Sequence, residues 1–216
     1  MKKLAIFDLD GTLLDTVEDI ADKVNIAMAH FGYPLITKQE AMQKIGNGSR
    51  MLIKRSIGED QSEQRVDEVL KYFMNIYAGD ADPKTKPFDG IKETLIKLHE
   101  NGFILAIITN KPQPATDKVC GELLSDLPFY KIIGQSQAVA CKPNPDSTLS
   151  LLKELNVEPQ NAYFIGDGDA DVLTAINSKI NHISVLWGYR TKTQLEQVGA
   201  SNFVSTPQDL LNFLLS

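Results

Sequence analysis

The chain has 216 residues, enough for one large or two small domains, and its 43% apolar content is that of an ordinary globular protein. A net charge of −6 and a pI of about 5.1 argue against general affinity for nucleic acid or anionic membranes, and any site for an anionic substrate then needs local positive charge or a metal. Cys120 and Cys141 form neither a disulfide framework nor a metal-ligand spacing, and no signal-peptide or membrane-length apolar run is present, so a soluble cytoplasmic protein with free thiols is expected, its oligomeric state left open.

The first element is a short apolar strand, Leu4-Ala5-Ile6-Phe7, ending in Asp8-Leu9-Asp10-Gly11-Thr12. From about Asp15 to Pro87 the periodicity is helical, with no strand pattern. Val17, Ile20, Ala21, Val24, Met28 and Phe31 mark one helix, stopped by Gly32-Tyr33-Pro34. Lys38 to Lys44 predicts a second helix, and Met51, Leu52 and Arg55 lie on another after the break at Gly46-Asn47-Gly48. Val66, Val69, Leu70, Phe73 and Tyr77 mark a long one.

After Pro87 strands return. A helix through Ile91, Leu95 and Leu98 ends at Gly102. It leads into Phe103 to Ile108, apolar on both faces as in a buried parallel strand. Short strands follow at Lys131-Ile132-Ile133, Ala162 to Ile165, His182 to Leu186 and Asn202-Phe203-Val204, with helices through Leu149, Leu152 and Leu155 and from Asp209 to Leu215. The alternation predicts an α/β fold, a doubly wound parallel sheet. Residues 1–14 and 88–216 would form its core and residues 15–87 an inserted helical unit over the sheet edge.

Polar chemistry gathers where the buried strands end. Asp8 and Asp10, two apart, point the same way from a strand tip. Thr109-Asn110-Lys111 ends the second buried strand and Gly166-Asp167-Gly168-Asp169-Ala170-Asp171 the third. Lys142 precedes a helix that could bring it to the same edge. Ligands of open parallel sheets bind outside these carboxyl ends. The alternating Asp167, Asp169 and Asp171 do not make an EF-hand, since Val172 stands where Gly is needed and Ser178 where the bidentate Glu is needed. His30, His99 and His182 lack ligand or catalytic spacing.

The combination suits a phosphate monoester. A carboxylate attacking this dianion needs its charge masked, and Mg²⁺ is a hard, oxygen-seeking mask. Lys142 would neutralise further charge, and the Thr109 hydroxyl and nearby N–H groups would hold phosphoryl oxygens. One aspartate can accept the phosphoryl group while the other moves protons.

With these motifs in this order, the chain resembles the phosphatase branch of the haloacid dehalogenase superfamily over its whole length. Asp8-Leu9-Asp10-Gly11-Thr12 matches the first motif, Thr109-Asn110 the second, Lys142-Pro143 the third, and Gly166-Asp167 with Asp171 the fourth. The resemblance implies Asp8 as nucleophile and Asp10 as general acid and base. It implies Mg²⁺ on the side chains of Asp8 and Asp167 and the carbonyl of Asp10, with Asp171 and Thr12 supporting the site, and a mobile helical cap. Relatives carry Ser or Thr after Asp167, where this chain has Gly168 followed by an extra acid, Asp169. The dehalogenase branch lacks an acid at Asp10, which argues against dehalogenation.

The stretch from Ile45 to Arg55, with its Gly-Asn-Gly turn, and Trp187-Gly188-Tyr189 are similar to bacterial phosphoglycolate phosphatases. A small phosphorylated metabolite such as 2-phosphoglycolate is the expected substrate. Thr109, Asn110, Lys142 and Gly46 would bind it, and Arg50, Lys54 or Arg55 would meet its carboxylate. Alternatives are a phosphoglucomutase-like transferase, a nucleotide or pyrophosphate phosphatase, and a receiver-like regulatory protein phosphorylated on Asp8.

Overall fold

A computed structural model describes residues 2–58, 61–79 and 83–216. Six parallel strands form one sheet: β1 (Lys3–Phe7), β4 (Phe103–Pro112), β5 (Phe129–Gln135), β6 (Ala162–Gly166), β7 (Asn181–Val185) and β8 (Phe203–Val204), in the order β5-β4-β1-β6-β7-β8. Central β1 is buried on both sides, and its alternation divides the core. Ala5 and Phe7 face the layer completed by α5 (Ile91–Glu100), α6 (Gln113–Leu123) and α10 (Pro207–Leu215). Leu4 and Ile6 face the layer of α7 (Asp146–Leu155) and α8 (Asp169–Ser178). Helices on both faces make the sheet doubly wound, as the alternating pattern predicts. A further helix of this α/β unit, α9 (Lys192–Gln197), precedes β8.

Register sets the functional edge. Phe7 lies beside Ile107 on one neighbour and Ile165 on the other, so the residues just beyond these three share one level. The Asp8 amide continues the ladder by donating to the Ile165 carbonyl at 2.9 Å. Asp8, Thr109 and Asp167 are thereby delivered to one rim.

Between β1 and α5 the chain leaves through β2 (Leu14–Asp15) and returns through β3 (Lys86–Pro87), a two-residue antiparallel ribbon that the helical periodicity of this region does not announce. Four helices lie between: α1 (Val17–Phe31), α2 (Lys38–Lys44), α3 (Gly48–Ile57) and α4 (Glu63–Gly79). Gly32 ends α1 in the left-handed conformation (φ 74°), and the Thr37/Glu40 capping box starts α2. Val24, Met28, Leu52, Ile53, Val66, Val69 and Phe73 form a core of their own, which also touches Ala115 and Tyr189 of the α/β unit. Asp19 of α1 accepts from the Lys84 amide at 3.0 Å and the Thr85 hydroxyl at 2.6 Å, tying the returning segment to the first helix.

Four further features exceed the sequence reading. Strand β4 runs through Thr109, Asn110 and Lys111 to Pro112, and α6, α8 and α9 are helices that the apolar spacing does not mark. Among the described residues no helix is long and apolar enough to cross a membrane.

Candidate active site

Asp8 sits at the tip of β1, 7% exposed, with Oδ1 accepting from the Leu9 amide at 2.7 Å and lying 2.8 Å from the Lys142 ammonium. Lys142 also donates to Asp171 at 2.6 Å. Burial by itself would lower the pKa of Lys142. The charges of Asp171 and Asp8 outweigh that effect and hold the ammonium protonated, above its ordinary range. Asp171 is the third residue of α8, and its other oxygen accepts from the Gly168 amide at 2.9 Å. The acid thus caps its own helix, which a Ser or Thr hydroxyl at position 168 would otherwise do from the opposite direction.

Asp167 is the residue after β6. It accepts from the Thr12 hydroxyl at 2.9 Å and the Tyr189 amide at 2.8 Å. Burial, then the nearby charge of Asp8, raises its pKa to about 6. Burial likewise raises Asp171, to about 7, against the pull of Lys142. Asp8, Asp167 and Asp171 each bring one oxygen within 4.8 Å of the others. With Asp10, four carboxylates outnumber the ammonium groups of Lys111 and Lys142 that pair with the cluster, and the Arg190 guanidinium borders the same cavity and acts on Asp167. A cavity of about 10 Å³ lies against Asp8, Asp10, Asp167 and Asp171. An all-oxygen, acid-rich donor set in surplus over its cations suits a hard divalent cation.

The approach of the chain around Asp167 leaves no room for side chains. Gly11 has φ +84°, and a Cβ there would lie 2.4 Å from Asp167 Oδ2; one on Gly188 would lie 2.2 Å from Asp167 Cβ and 2.5 Å from the Gly11 carbonyl oxygen. Gly188→Ala is therefore expected to push Asp167 aside and to lower phosphate-release activity at least about tenfold, with a weaker thermal response to added Mg²⁺, both measured on the purified variant.

The sequence-derived residues divide by placement. Asp8, Asp10, Thr109, Asn110, Gly46, Gly48 and Ser49 line a second cavity of about 40 Å³ that shares the two aspartates with the first, together with Leu52, Tyr77 and Lys111. The amide of Asn110 is committed to backbone: it donates to the carbonyls of Gly46 (3.0 Å) and Lys142 (3.1 Å) and accepts from the Lys142 amide (2.7 Å). Asn110 therefore fixes Lys142 and joins the helical insertion to the rim.

Arg50 lies elsewhere. Ser49 and Leu52 share the α3 face toward the cavity, and the helix turns Arg50 to α4, where it pairs with Glu63 and Asp67. Lys54 also pairs with Glu63, and Arg55 donates to the Lys44 carbonyl. The basic cluster next to the glycine turn is thus engaged within the insertion. His182 accepts from the Ser201 amide and His30 stacks on Tyr72, both away from the rim.

Several residues at the site carry no motif of their own. Lys111 donates to Asp10 Oδ1 at 3.0 Å and to the Tyr77 hydroxyl. Trp187 donates to the Thr12 carbonyl, and the Tyr189 hydroxyl bonds the amide and hydroxyl of Thr16. Arg190 donates to the carbonyls of Met42, Gln43 and Ile45 at the end of α2. The one sequence signal for this loop is the Trp-Gly-Tyr triplet after β7; Arg190 is a single cation in a polar stretch.

Comparison with known proteins decides the family. The family described as haloacid dehalogenase-like hydrolase matches residues 5–185. The chain belongs to this family. Among relatives, Phosphoglycolate phosphatase 1 of Pseudomonas aeruginosa is 32% identical over 98% of this chain and 79% of its own length. Phosphoglycolate phosphatase of Psychrobacter arcticus is 30% identical over 99% and 96%. A crystal structure from Lactobacillus delbrueckii subsp. bulgaricus superposes with a TM-score of 0.92 at 31% identity, covering 99% of both chains. As a member of the haloacid dehalogenase-like hydrolases, the protein is an enzyme with the family's α/β sheet, and its buried acid cluster can hold a metal.

Proposed function

We propose that this hydrolase is a Mg²⁺-dependent phosphatase that cleaves a small phosphate monoester through an aspartyl-phosphate on Asp8, with 2-phosphoglycolate the first candidate. The observation that carries this reading is the pairing of Asp8 with Lys142 inside a buried acid cluster, next to a cavity bordered by Asp10 and Thr109. An acid held only for structure would not need three further carboxylates around it.

In this reading the Asp8 carboxylate attacks phosphorus from one side while the ester oxygen departs on the other, taking the proton from Asp10. Asp10, again a carboxylate, then takes a proton from the water that attacks phosphorus, and phosphate leaves with Asp8 regenerated. The Lys142 ammonium and the Thr109 hydroxyl hold phosphoryl oxygens as negative charge builds. Asp8, Asp167 and the Asp10 carbonyl, with Asp171 and Thr12 in support, would hold a divalent cation, which when bound would supply the remaining positive charge at the phosphoryl group. The insertion, seated on the rim through Gly46, Tyr77 and the end of α2, excludes water.

Two observations support a small ester over a nucleotide. The cavity beside Asp8 is small with the insertion seated, about 40 Å³, and the relatives at 32% and 30% identity are named phosphoglycolate phosphatases. The two free thiols support a cytoplasmic setting. A phosphate-release screen over 2-phosphoglycolate, sugar phosphates, nucleotides and pyrophosphate tests the reading. Highest kcat/KM is expected for a two- or three-carbon phosphate monoester. A nucleotide as the best substrate would contradict the size argument, pyrophosphate as the best would contradict the monoester assignment, and isomerisation of a sugar phosphate without phosphate release would indicate a transferase.

A further inference from the structure

Lys111 is the least expected component of the site. It is 6% exposed at the end of β4, and its ammonium donates to Asp10 Oδ1 at 3.0 Å and to the hydroxyl of Tyr77. Asp10 and Lys111 belong to the α/β unit. Tyr77 comes from α4 of the insertion, where its ring stacks on Phe73 with centroids 5.0 Å apart. All three line the cavity beside Asp8. Burying an ammonium costs several kcal/mol unless it is well paired. Burial would lower the pKa of Lys111, but the charge of Asp10 and the Tyr77 hydroxyl more than reverse this and keep the group charged. The cation is therefore a fixed point between one core acid and one hydroxyl of the insertion.

A group that hands a proton to a leaving oxygen must be held in reach of it, and misplacement by about 1 Å can cost a hundredfold. Holding Asp10 through Oδ1 restricts rotation of its carboxyl. Once the proton has gone to the leaving oxygen, the new carboxylate is held by the same ammonium. If α4 withdraws, Lys111 loses the hydroxyl that fixes its other side, and the hold on Asp10 slackens.

We propose that Lys111 is a positioning residue for Asp10, and that the Tyr77 hydroxyl makes this positioning depend on the insertion being seated over the site. The proposal rests on the reading of Asp10 as proton donor to the leaving oxygen. It links closure to chemistry through one buried cation.

Leaving-group dependence tests it. A p-nitrophenyl ester departs as a stable phenolate without a proton, whereas an alkyl phosphate such as 2-phosphoglycolate requires one. kcat/KM reports events up to phosphoryl transfer and so isolates this step. Asp10→Asn should raise the aryl-to-alkyl ratio of kcat/KM by about 10³, the scale of general acid catalysis. Lys111→Met should raise it by about 10², and Tyr77→Phe, which keeps the ring and its stacking on Phe73, by about tenfold. Lys111→Arg should recover part of the Lys111→Met loss on the alkyl ester.

An unchanged ratio in both Lys111→Met and Tyr77→Phe, whether both esters suffer equally or neither does, overturns the proposal, because a merely structural lysine would not discriminate leaving groups. Should Lys111→Met fail to fold, Tyr77→Phe decides alone. An unchanged ratio in Asp10→Asn instead overturns the proton-donor reading itself, and the proposal with it.

Discussion

Replacing Asp8 with Asn is expected to lower kcat for phosphate release by at least about 10⁴-fold, the scale seen when a nucleophile is removed from a covalent mechanism. The two side chains are nearly isosteric, so the Leu9 amide keeps an oxygen to donate to, and Lys142 keeps its bond to Asp171 at 2.6 Å. The variant also removes one negative charge from a cluster in which carboxylates outnumber ammonium groups. Folding should therefore survive, with Tm measured without metal within a few degrees of the parent's. Loss of activity with an intact melting transition assigns the defect to chemistry; collapse of the fold would mean that Asp8 is held chiefly for structure.

The second large effect is removal of divalent cation. Dialysis against a chelator should cost at least about 10²-fold in activity, recovered with Mg²⁺. Asp8, Asp10, Asp167 and Asp171 exceed Lys111 and Lys142 by two negative charges, and burial has already driven Asp167 up to about 6 and Asp171 to about 7. A cation binding only the folded state raises stability by about 2.7 kcal/mol at a hundredfold excess over its Kd. Mg²⁺ should thus raise Tm even without substrate, and Asp167→Asn should abolish the rise. Protons compete for the same oxygens, so the sign with pH is fixed. These carboxyls are ionised above their raised values and bind metal well there, and the Mg²⁺-induced shift should shrink as pH falls through the window from about 7 to about 6. Full activity in excess chelator would remove the metal from the mechanism.

Much of this arrangement is legible in the chain because it is local. Strands buried on both faces read as unbroken apolar runs, and each ends in a polar cluster whose position on the rim follows from parallel register alone. Helices α1, α3 and α4 show because each buries one stripe, and α2, which buries only Ala41, shows because turns at Gly32-Tyr33-Pro34 and Gly46-Asn47-Gly48 bracket it. What escapes detection has a physical cause in each case. Helix α6 carries a Pro and a Gly and buries only Ala115, Thr116, Val119 and Cys120; α8 opens on two acids, Asp169 and Asp171; α9 buries a single Leu195. The ribbon of β2 and β3 is too short to have a period. Lys111 and Tyr77 lie 34 positions apart and Lys111 and Asp10 101 apart, so their meeting is set by packing of the insertion on the sheet and leaves no spacing to find. Arg50 shows the converse. A cation beside a glycine turn invites a substrate role, yet Glu63 and Asp67 lie on the neighbouring helix to take it.

Placing Asp8 on phosphorus makes a covalent demand that can be read directly. During turnover of p-nitrophenyl phosphate by the Asp10→Asn enzyme, in which water attack on the acyl phosphate is slowed, rapid quenching and borohydride reduction should convert residue 8 to homoserine, located by peptide mass spectrometry. Homoserine at position 8, dependent on substrate and Mg²⁺ and absent from Asp8→Asn, is the predicted result. Reduction at a different residue, or an unmodified residue 8 while p-nitrophenol is still being released, would contradict the aspartyl-phosphate mechanism.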